Sequence, residues 1–383
     1  MKPKAKVLLS GGLDSMLAVK VLQNQGIEVQ GVAYESNFFS ADKARVAAEK
    51  LNIPLEVVDI SKELLEVVKN PQCGHGKCLN PCIDCHALMA RRALTPSPSP
   101  ATVVAGEGSY GNKLCCDDQV TPLPSRSHRS GRGAGGEGII ATGEVLGQRP
   151  MSQNKQSLGR VASLAGVEIL RPLSAKLLPE TSYEKDGLVD REKLLDISGR
   201  GRERQIELAK KFGIKDYPSP AGGCLLTEKE FCKKLGEMIK YWPECTPKDV
   251  ELIKHGRCFW VKTFKSTNDG KSTNDACEWA LIVVGRSRTD NEALAGLAKK
   301  GDFVVELKEE VGPLTLIKNY ELRITNGDPI PNLRFLIPDN LDKDLNLGKC
   351  NNLEELIKIA CLLTGYHAPK ARGREVEFTI SNL

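Results

Sequence analysis

The sequence predicts an α/β fold with a doubly wound parallel sheet, followed by a smaller α+β module. Three observations lead to this prediction. Short apolar runs alternate with helical patterns over residues 6–60, a glycine-rich loop joins the first apolar run to the first helical pattern, and strand and helix patterns alternate again after residue 256. Alternation of this kind implies parallel strands with helices packed on them, and ligands then bind beyond the carboxyl ends of the strands.

The N-terminal part of the chain reads as β-α-β-α-β. Short apolar runs predict buried strands, and apolar residues three or four positions apart predict the helices between them. We expect strands at residues 6–9, 28–34 and 55–60, and helices at 16–25 and 41–51.

Residues 95–138 differ in composition from the chain on either side. This segment is dense in Pro, Gly and Ser, which predicts a disordered insertion between a helix at 86–94 and a strand at 138–142. Further strands at 280–284, 303–307 and 314–317 and a helix at 290–299 predict the α+β module. The domains are therefore expected at 1–180, with the insertion inside it, and at 256–383, joined by a connecting region at 181–255.

Composition excludes some classes of protein. At 383 residues, with 40% hydrophobic and 27% charged residues, the chain resembles a two- or three-domain globular protein. No apolar run approaches the roughly 20 residues that a membrane-spanning helix needs. The apolar segment near the N-terminus is too short for a signal peptide, so a cytoplasmic location is expected. The net charge of +5 permits a polyanionic partner without demanding one.

A motif that suits phosphate binding follows the first predicted strand. Glycine permits close backbone approach to phosphate oxygens, hydroxyls donate hydrogen bonds, and a helix N-terminus attracts anions. Asp14 is the candidate ligand for Mg²⁺. The predicted nucleotide-binding residues of this loop are Ser10, Gly11, Gly12, Leu13, Asp14 and Ser15.

The cysteines suggest a second reactive site. Cys82 and Cys85 form a CxxC pair at the start of a predicted helix, where the helix dipole is expected to lower the thiol pKa. Cys224 lies far downstream after two glycines, which permit close backbone approach. A CxxC pair also suits a redox dithiol, buried packing or half of a zinc site. Further zinc ligands would come from Cys73, His75 and Cys78.

The Ser-Gly-Gly-Leu-Asp-Ser loop resembles the pyrophosphate loop of the N-type ATP pyrophosphatases, the PP-loop superfamily with the adenine nucleotide alpha hydrolase-like fold. This resemblance implies that the domain at 1–180 cleaves ATP between the α and β phosphates. Thr142 and Gly143 follow a predicted strand and resemble the second nucleotide loop of the family, Ala-Thr-Gly-His, with Glu144 in place of the histidine. The resemblance implies that Thr142 and Gly143 approach the adenosine.

The cysteine sites resemble those of the tRNA 2-thiouridylases, over roughly the first 230 residues. The resemblance implies an ATP-dependent tRNA sulfurtransferase that adenylates a uridine carbonyl and replaces its oxygen by sulfur. Cys85 then occupies the nucleophilic or ligating position and Cys224 the second one, with Asp14 completing the catalytic set. Cys82, Cys85 and Cys224 also match the three thiolates that hold a 4Fe–4S cluster in related thiolation enzymes. The implied partners are ATP, Mg²⁺, tRNA and a sulfur donor, either sulfide or a persulfide carrier protein.

Two other functions compete with thiolation. Another PP-loop ligase or amidotransferase would use the same loop, and the cysteines would then have no catalytic role. A non-catalytic RNA-binding protein would retain a degenerate fold broken by the insertion. RNA binding itself is suggested by residues 282–313, which resemble the RNA-binding module of ribosome-associated quality-control proteins. Basic clusters at 200–204 and 370–374 suit phosphate contacts, although such runs are also typical of solvated surfaces.

Overall fold

The computed structural model describes residues 2–94, 138–218, 223–264, 277–318, 333–339, 350 and 352–382. The predicted disordered insertion at 95–138 lies outside these residues except for its last position. The chain divides into two compact units, Met1–Thr227 and Glu228–Leu383. The three-part division into 1–180, 181–255 and 256–383 stays a prediction.

The N-terminal unit contains the predicted parallel sheet. Its described strands pair in the order β3-β2-β1-β4, and every pairing is parallel. The strands are β1 (Lys4–Leu8), β2 (Glu28–Glu35), β3 (Leu55–Asp59) and β4 (Ile139–Thr142). This sheet and its flanking helices confirm the predicted α/β class and the predicted β-α-β-α-β order.

Helices surround this sheet. The first helix, α1, is apolar on most of its surface because it packs against strands on one side and against α7 on the other. Small side chains allow α4 and α5 to pack closely, and alanines fill their contact. The helices of this unit are α1 (Leu13–Gln23), α2 (Asp42–Leu51), α3 (Ser61–Lys69), α4 (Cys82–Leu94), α5 (Lys155–Ala165), α6 (Ser182–Lys185) and α7 (Glu203–Lys211), with short 3-10 turns at Ala175–Leu177, Arg191–Lys193 and Leu225–Thr227.

The strand order places a topological switch point at the carboxyl end of β1. The chain continues from β1 to β2 and β3 on one side, and β4 returns to pair with the other side of β1. In the register of that pairing, Leu8 lies opposite Thr142. In open α/β sheets, ligands bind where the strand order reverses in this way. Both predicted nucleotide loops begin at this point.

The C-terminal unit is an α+β module, as predicted. Its described strands form an antiparallel sheet in the order β5-β6-β8-β7-β10-β9, and α11 packs on this sheet. The unit has its own apolar core, built from the inner faces of the strands and from α11. Its elements are α8 (Lys229–Tyr241), α9 (Pro247–Leu252), β5 (Arg257–Phe264), β6 (Cys277–Val284), α10 (Arg288–Leu297), β7 (Phe303–Leu307), β8 (Thr315–Lys318), β9 (Leu333–Leu336), α11 (Leu353–Tyr366) and β10 (Glu375–Asn382). Across the described parts of both units, no helix combines the length and apolarity needed to cross a bilayer.

Candidate functional site

The glycine-rich loop is held tightly between β1 and α1. Gly11 has a φ of +77°, and a Cβ atom there would lie 2.3 Å from the backbone carbonyl of Lys43. Ser15 donates its hydroxyl to the Gly12 carbonyl oxygen at 2.8 Å. No described side chain caps the start of α1 at Gly12. The first-turn N–H groups therefore face the loop without a side-chain acceptor, which suits an anion.

Gly11→Ala is expected to lower the free energy of unfolding more than Gly166→Ala does. Alanine is strained by about 1–2 kcal/mol at either position, because both glycines have positive φ, +77° and +69°. At Gly166 an added Cβ meets no atom within 4 Å, whereas at Gly11 it meets the backbone of Lys43. That clash should cost roughly a further 1–3 kcal/mol. Urea denaturation of the two variants measures the difference, and equal midpoints would contradict the tight packing of this loop.

The second predicted nucleotide loop touches the first. A Cβ atom at Gly143 would lie 2.5 Å from the backbone nitrogen of Ser15 and 2.6 Å from the backbone carbonyl carbon of Asp14. Any larger residue at position 143 would displace the start of α1. The structure thus brings the two predicted loops together through a backbone contact.

Asp14 has one carboxylate oxygen that is hydrogen-bonded and one that is free to bind a ligand. Its Oδ2 accepts a hydrogen bond from Nε2 of Gln148 at 3.1 Å, and Nη2 of Arg202 lies 3.9 Å from the same oxygen. Its Oδ1 is buried and has no hydrogen-bond partner among the described residues. An unpaired carboxylate oxygen beside a loop that suits an anion also suits a hard cation such as Mg²⁺. Arg202 belongs to the basic cluster at 200–204 that suits phosphate contacts, and its guanidinium lies beside this carboxylate.

Glu144 is the centre of a buried polar network. Its Oε1 lies 2.9 Å from Nδ1 of His86, and its Oε2 accepts from Nε of Arg171 at 3.0 Å and from the Thr142 hydroxyl at 3.1 Å. Burial alone would raise the pKa of Glu144, but hydrogen bonds and charge from His86 and Arg171 lower the pKa to about 2. Glu144 is therefore ionised at neutral pH and ties the second nucleotide loop to α4, which carries His86.

The three predicted cysteines lie near one another. Burial raises the pKa of the Cys85 thiol, and the neighbouring Cys224 and Cys82 raise it further, so these three groups lie close enough to interact electrostatically. Burial also raises the pKa of Cys82, against the opposing effect of the Arg149 charge. The prediction that the helix dipole lowers these thiol pKa values is wrong, because burial in the first turn of α4 outweighs the dipole.

The metal-binding alternatives find no support in the geometry. Within the described ranges, no group of three or more His, Cys, Asp or Glu side chains is placed to hold a metal ion. Nε2 of His75 instead lies 2.9 Å from the Val68 carbonyl oxygen, and the Cys78 thiol points to the Thr227 carbonyl oxygen at 3.8 Å. The described residues therefore give no support to the predicted iron–sulfur cluster or to the zinc alternative, and both stay predictions.

One loop, residues 144–149, reaches both parts of the site. At its start Glu144 bonds His86, the residue after Cys85 on α4. At its end Gln148 bonds Asp14 on the nucleotide loop, and the Arg149 charge acts on Cys82. The nucleotide loop and the cysteine pair are thus joined through a single short segment.

Comparisons with known proteins match the N-terminal segment of the chain. Residues 3–97 match the family model described as the tRNA methyl transferase HUP domain. The chain is 36% identical over 104 residues to the tRNA-specific 2-thiouridylase MnmA of Syntrophotalea carbinolica, covering 23% of this chain and 30% of that protein. It is 36% identical over 95 residues to the same enzyme of Helicobacter acinonychis, covering 22% of this chain and 28% of that protein. The predicted resemblance is confirmed for this N-terminal segment.

The similarity is confined to part of each relative. The chain spans less than one third of the length of both 2-thiouridylases. A solved structure described as a predicted subunit of tRNA methyltransferase from Methanocaldococcus jannaschii covers 55% of this chain and 76% of its own, at 13% identity and a TM-score of 0.30. That score is too low to support an inference. The matched region contains the first nucleotide loop and the CxxC pair, but neither Gly143 nor Cys224.

Several residues of the site were missed by the sequence analysis. His86, Gln148 and Arg171 were given no role, although each bonds a residue of the predicted loops. Only Arg171 carries a local signal, since it is a charged residue directly after the apolar pair Ile169 and Leu170. The roles of His86 and Gln148 can be recognised only once the pairing of β1 with β4 is known.

Proposed function

We propose that the protein is an ATP-dependent tRNA sulfurtransferase, which adenylates a uridine carbonyl and replaces its oxygen by sulfur. The observation that carries this proposal is the loop at 144–149, which contacts Asp14 on one side and His86 beside Cys85 on the other. An enzyme that activates a carbonyl with ATP and then delivers sulfur needs both groups within reach of one substrate atom. The cytoplasm, which supplies tRNA, ATP and thiol reductants, is the proposed location.

The first step uses the glycine-rich loop. Backbone N–H groups at the start of α1 and the hydroxyl of Ser10 would hold the phosphates, and the Ser15 hydroxyl would join them on leaving the Gly12 carbonyl oxygen. Asp14 would hold the Mg²⁺ that accompanies ATP. Thr142 and Gly143 lie on the adenosine side, by the family resemblance. The uridine carbonyl oxygen attacks the α-phosphorus, the bond to the β-phosphate oxygen breaks, and pyrophosphate leaves. The uridine then carries AMP on its former carbonyl oxygen.

The second step uses the thiols. Burial raises the pKa of Cys85, so the free residue is a protonated thiol. Its sulfur attacks the outer sulfur of a persulfide carrier, the S–S bond of the carrier breaks, and the departing carrier thiolate takes up the proton, which leaves a persulfide on Cys85. The terminal sulfur attacks the activated carbon, and AMP departs with the oxygen. The Cys224 thiolate then attacks the Cys85 sulfur, which frees the thiouridine and leaves a disulfide. A small-molecule thiol reduces that disulfide to restore both cysteines.

The proposed module for tRNA binding is the C-terminal unit. In the N-terminal unit, the exposed Arg200 and Arg204 also suit phosphate contacts. Support comes from the sequence resemblance of residues 282–313 and from the basic residues themselves. We do not propose a methyltransferase activity, because the sequence shows no glycine-rich loop of the type that binds S-adenosylmethionine.

The test is a complete reaction with unmodified tRNA, ATP, Mg²⁺, a persulfide donor and a thiol reductant. We expect AMP and pyrophosphate in equal amounts, and thiouridine in the digested tRNA by mass spectrometry. If the protein releases pyrophosphate only when ammonia is added, and forms no thiouridine, it is instead an amidotransferase. tRNA binding without any ATP cleavage would indicate the non-catalytic RNA-binding protein. Either of these results would overturn the proposal.

A further inference from the structure

We infer that Arg202 is a phosphate-binding residue of the nucleotide site, contacting the two phosphates of ATP that leave as pyrophosphate. The inference rests on the proposed function, because it needs ATP to bind at the glycine-rich loop. Arg202 is part of the basic cluster at 200–204, which from the sequence alone suggests an RNA-binding surface, and the inference assigns it to the ATP site instead.

The position of Arg202 differs from that of its basic neighbour Arg204. Arg202 is the N-cap residue of α7, the helix that packs against α1. Its side chain is 19% exposed and its Nη2 lies 3.9 Å from Oδ2 of Asp14. Arg204 is 54% exposed and pairs with Asp196 at 2.6 Å. Packing of α7 on α1 therefore turns Arg202 toward the nucleotide loop, while Arg204 stays in a surface ion pair.

The contact between Arg202 and Asp14 is incomplete in this structure. Charge-assisted hydrogen bonds between a guanidinium and a carboxylate measure about 2.7–2.9 Å, well below the 3.9 Å seen here. The Nε atom of Arg202 and the Oδ1 atom of Asp14 are both buried without a hydrogen-bond partner among the described residues. Buried charged groups with unmet hydrogen bonds are costly, so both side chains are available to a ligand that pairs with each.

Bound Mg·ATP supplies both missing partners. Asp14 would hold the metal ion through its unpaired carboxylate oxygen. The planar fork of Arg202 would bind two phosphate oxygens at once. In the proposed function the loop that carries Asp14 holds the phosphates that leave as pyrophosphate, and Arg202 lies beside that loop. Negative charge grows on these phosphates as pyrophosphate leaves, and a fixed arginine stabilises that charge.

The test compares Arg202→Gln with the control Arg204→Gln by calorimetric titration with Mg·ATP, Mg·pyrophosphate and AMP. Removing a charge-assisted contact should weaken ATP and pyrophosphate binding by about tenfold to a hundredfold. AMP lacks the leaving phosphates, so its affinity should change less than about twofold in the same variant. Arg204→Gln should bind all three ligands like the unaltered protein. Arg202→Lys keeps the charge but not the planar fork, so its affinity for Mg·ATP and Mg·pyrophosphate should fall by less. This variant also provides the test if Arg202→Gln does not fold.

The possible outcomes separate this inference from the proposed function. If the unaltered protein binds Mg·ATP and Arg202→Gln binds it equally well, the inference is overturned and the proposed function survives. If a further titration with tRNA shows that Arg202→Gln weakens tRNA binding while its affinity for Mg·ATP is unchanged, Arg202 belongs to the RNA surface and the inference is again overturned. If the unaltered protein binds no ATP, both fail.

Discussion

Cys85→Ser is expected to lower the rate of thiouridine formation by about three orders of magnitude or more, while tRNA-dependent release of pyrophosphate continues. Serine preserves the size of the side chain but cannot carry a transferable sulfur atom. In the proposed mechanism the adenylation step uses the glycine-rich loop and needs no thiol. Mass spectrometry of tRNA nucleosides measures the first quantity, and a coupled phosphate assay measures the second.

The matched control for this experiment is Cys258→Ala. Cys258 is a half-buried cysteine of β5, in the other structural unit, and its removal should leave both rates unchanged.

Cys224→Ser should behave differently from Cys85→Ser, because the Cys224→Ser protein still accepts sulfur on Cys85. It should accumulate tRNA joined to the protein through a disulfide. Unchanged thiolation in Cys85→Ser would contradict the assignment of the thiol chemistry to α4.

Glu144→Gln is expected to lower the free energy of unfolding by about 3–5 kcal/mol, because it leaves a buried guanidinium without its carboxylate. The side chain of Arg171 is 7% exposed and bonds Oε2 of Glu144 at 3.0 Å. Glu28→Gln is the control, since Glu28 pairs with Lys4 at 3.8 Å and both side chains are exposed. Exposed pairs contribute about 0–1 kcal/mol. Guanidinium denaturation at neutral pH should separate the two variants, and equal losses of stability would refute a structural role for the buried network.

The contribution of Glu144 should also depend on pH in a defined window. The folded-state pKa of about 2 lies below the ordinary value of 4.5. A carboxyl group with a depressed folded pKa contributes its full stability above its unfolded pKa and loses it as the pH falls toward the folded pKa. The stability gap between the unaltered protein and Glu144→Gln should therefore be constant at neutral pH and narrow between about pH 4.5 and pH 2. A gap that widened with acid would contradict the ionised state of Glu144.

The N-terminal fold was accessible from the sequence because its signals are local. Buried parallel strands give short apolar runs, and the helices between them give a different spacing. The strand at 28–34, for example, is observed as Glu28–Glu35, and the helix at 41–51 as Asp42–Leu51. The glycine-rich loop was equally visible, because its residue types and its place between a strand and a helix are adjacent in the sequence.

The parts of the site that depend on distant contacts could not be predicted. The contact of Gly143 with Ser15 requires β4 to pair with β1 rather than with β3. The thiol pKa values depend on burial, which opposes the local effect of the helix terminus. Arg202 and Arg204 look alike in the sequence, and only the packing of α7 on α1 distinguishes them.

The central claim is that one site activates a uridine carbonyl with ATP and exchanges its oxygen for sulfur. The most direct measurement uses tRNA transcribed from uridine nucleotides that carry heavy oxygen at the base carbonyls, followed by mass spectrometry of the AMP released. We predict that AMP gains one heavy oxygen for each thiouridine formed, while pyrophosphate stays unlabelled. Thiouridine formation with unlabelled AMP, or with the label in pyrophosphate, would contradict this account.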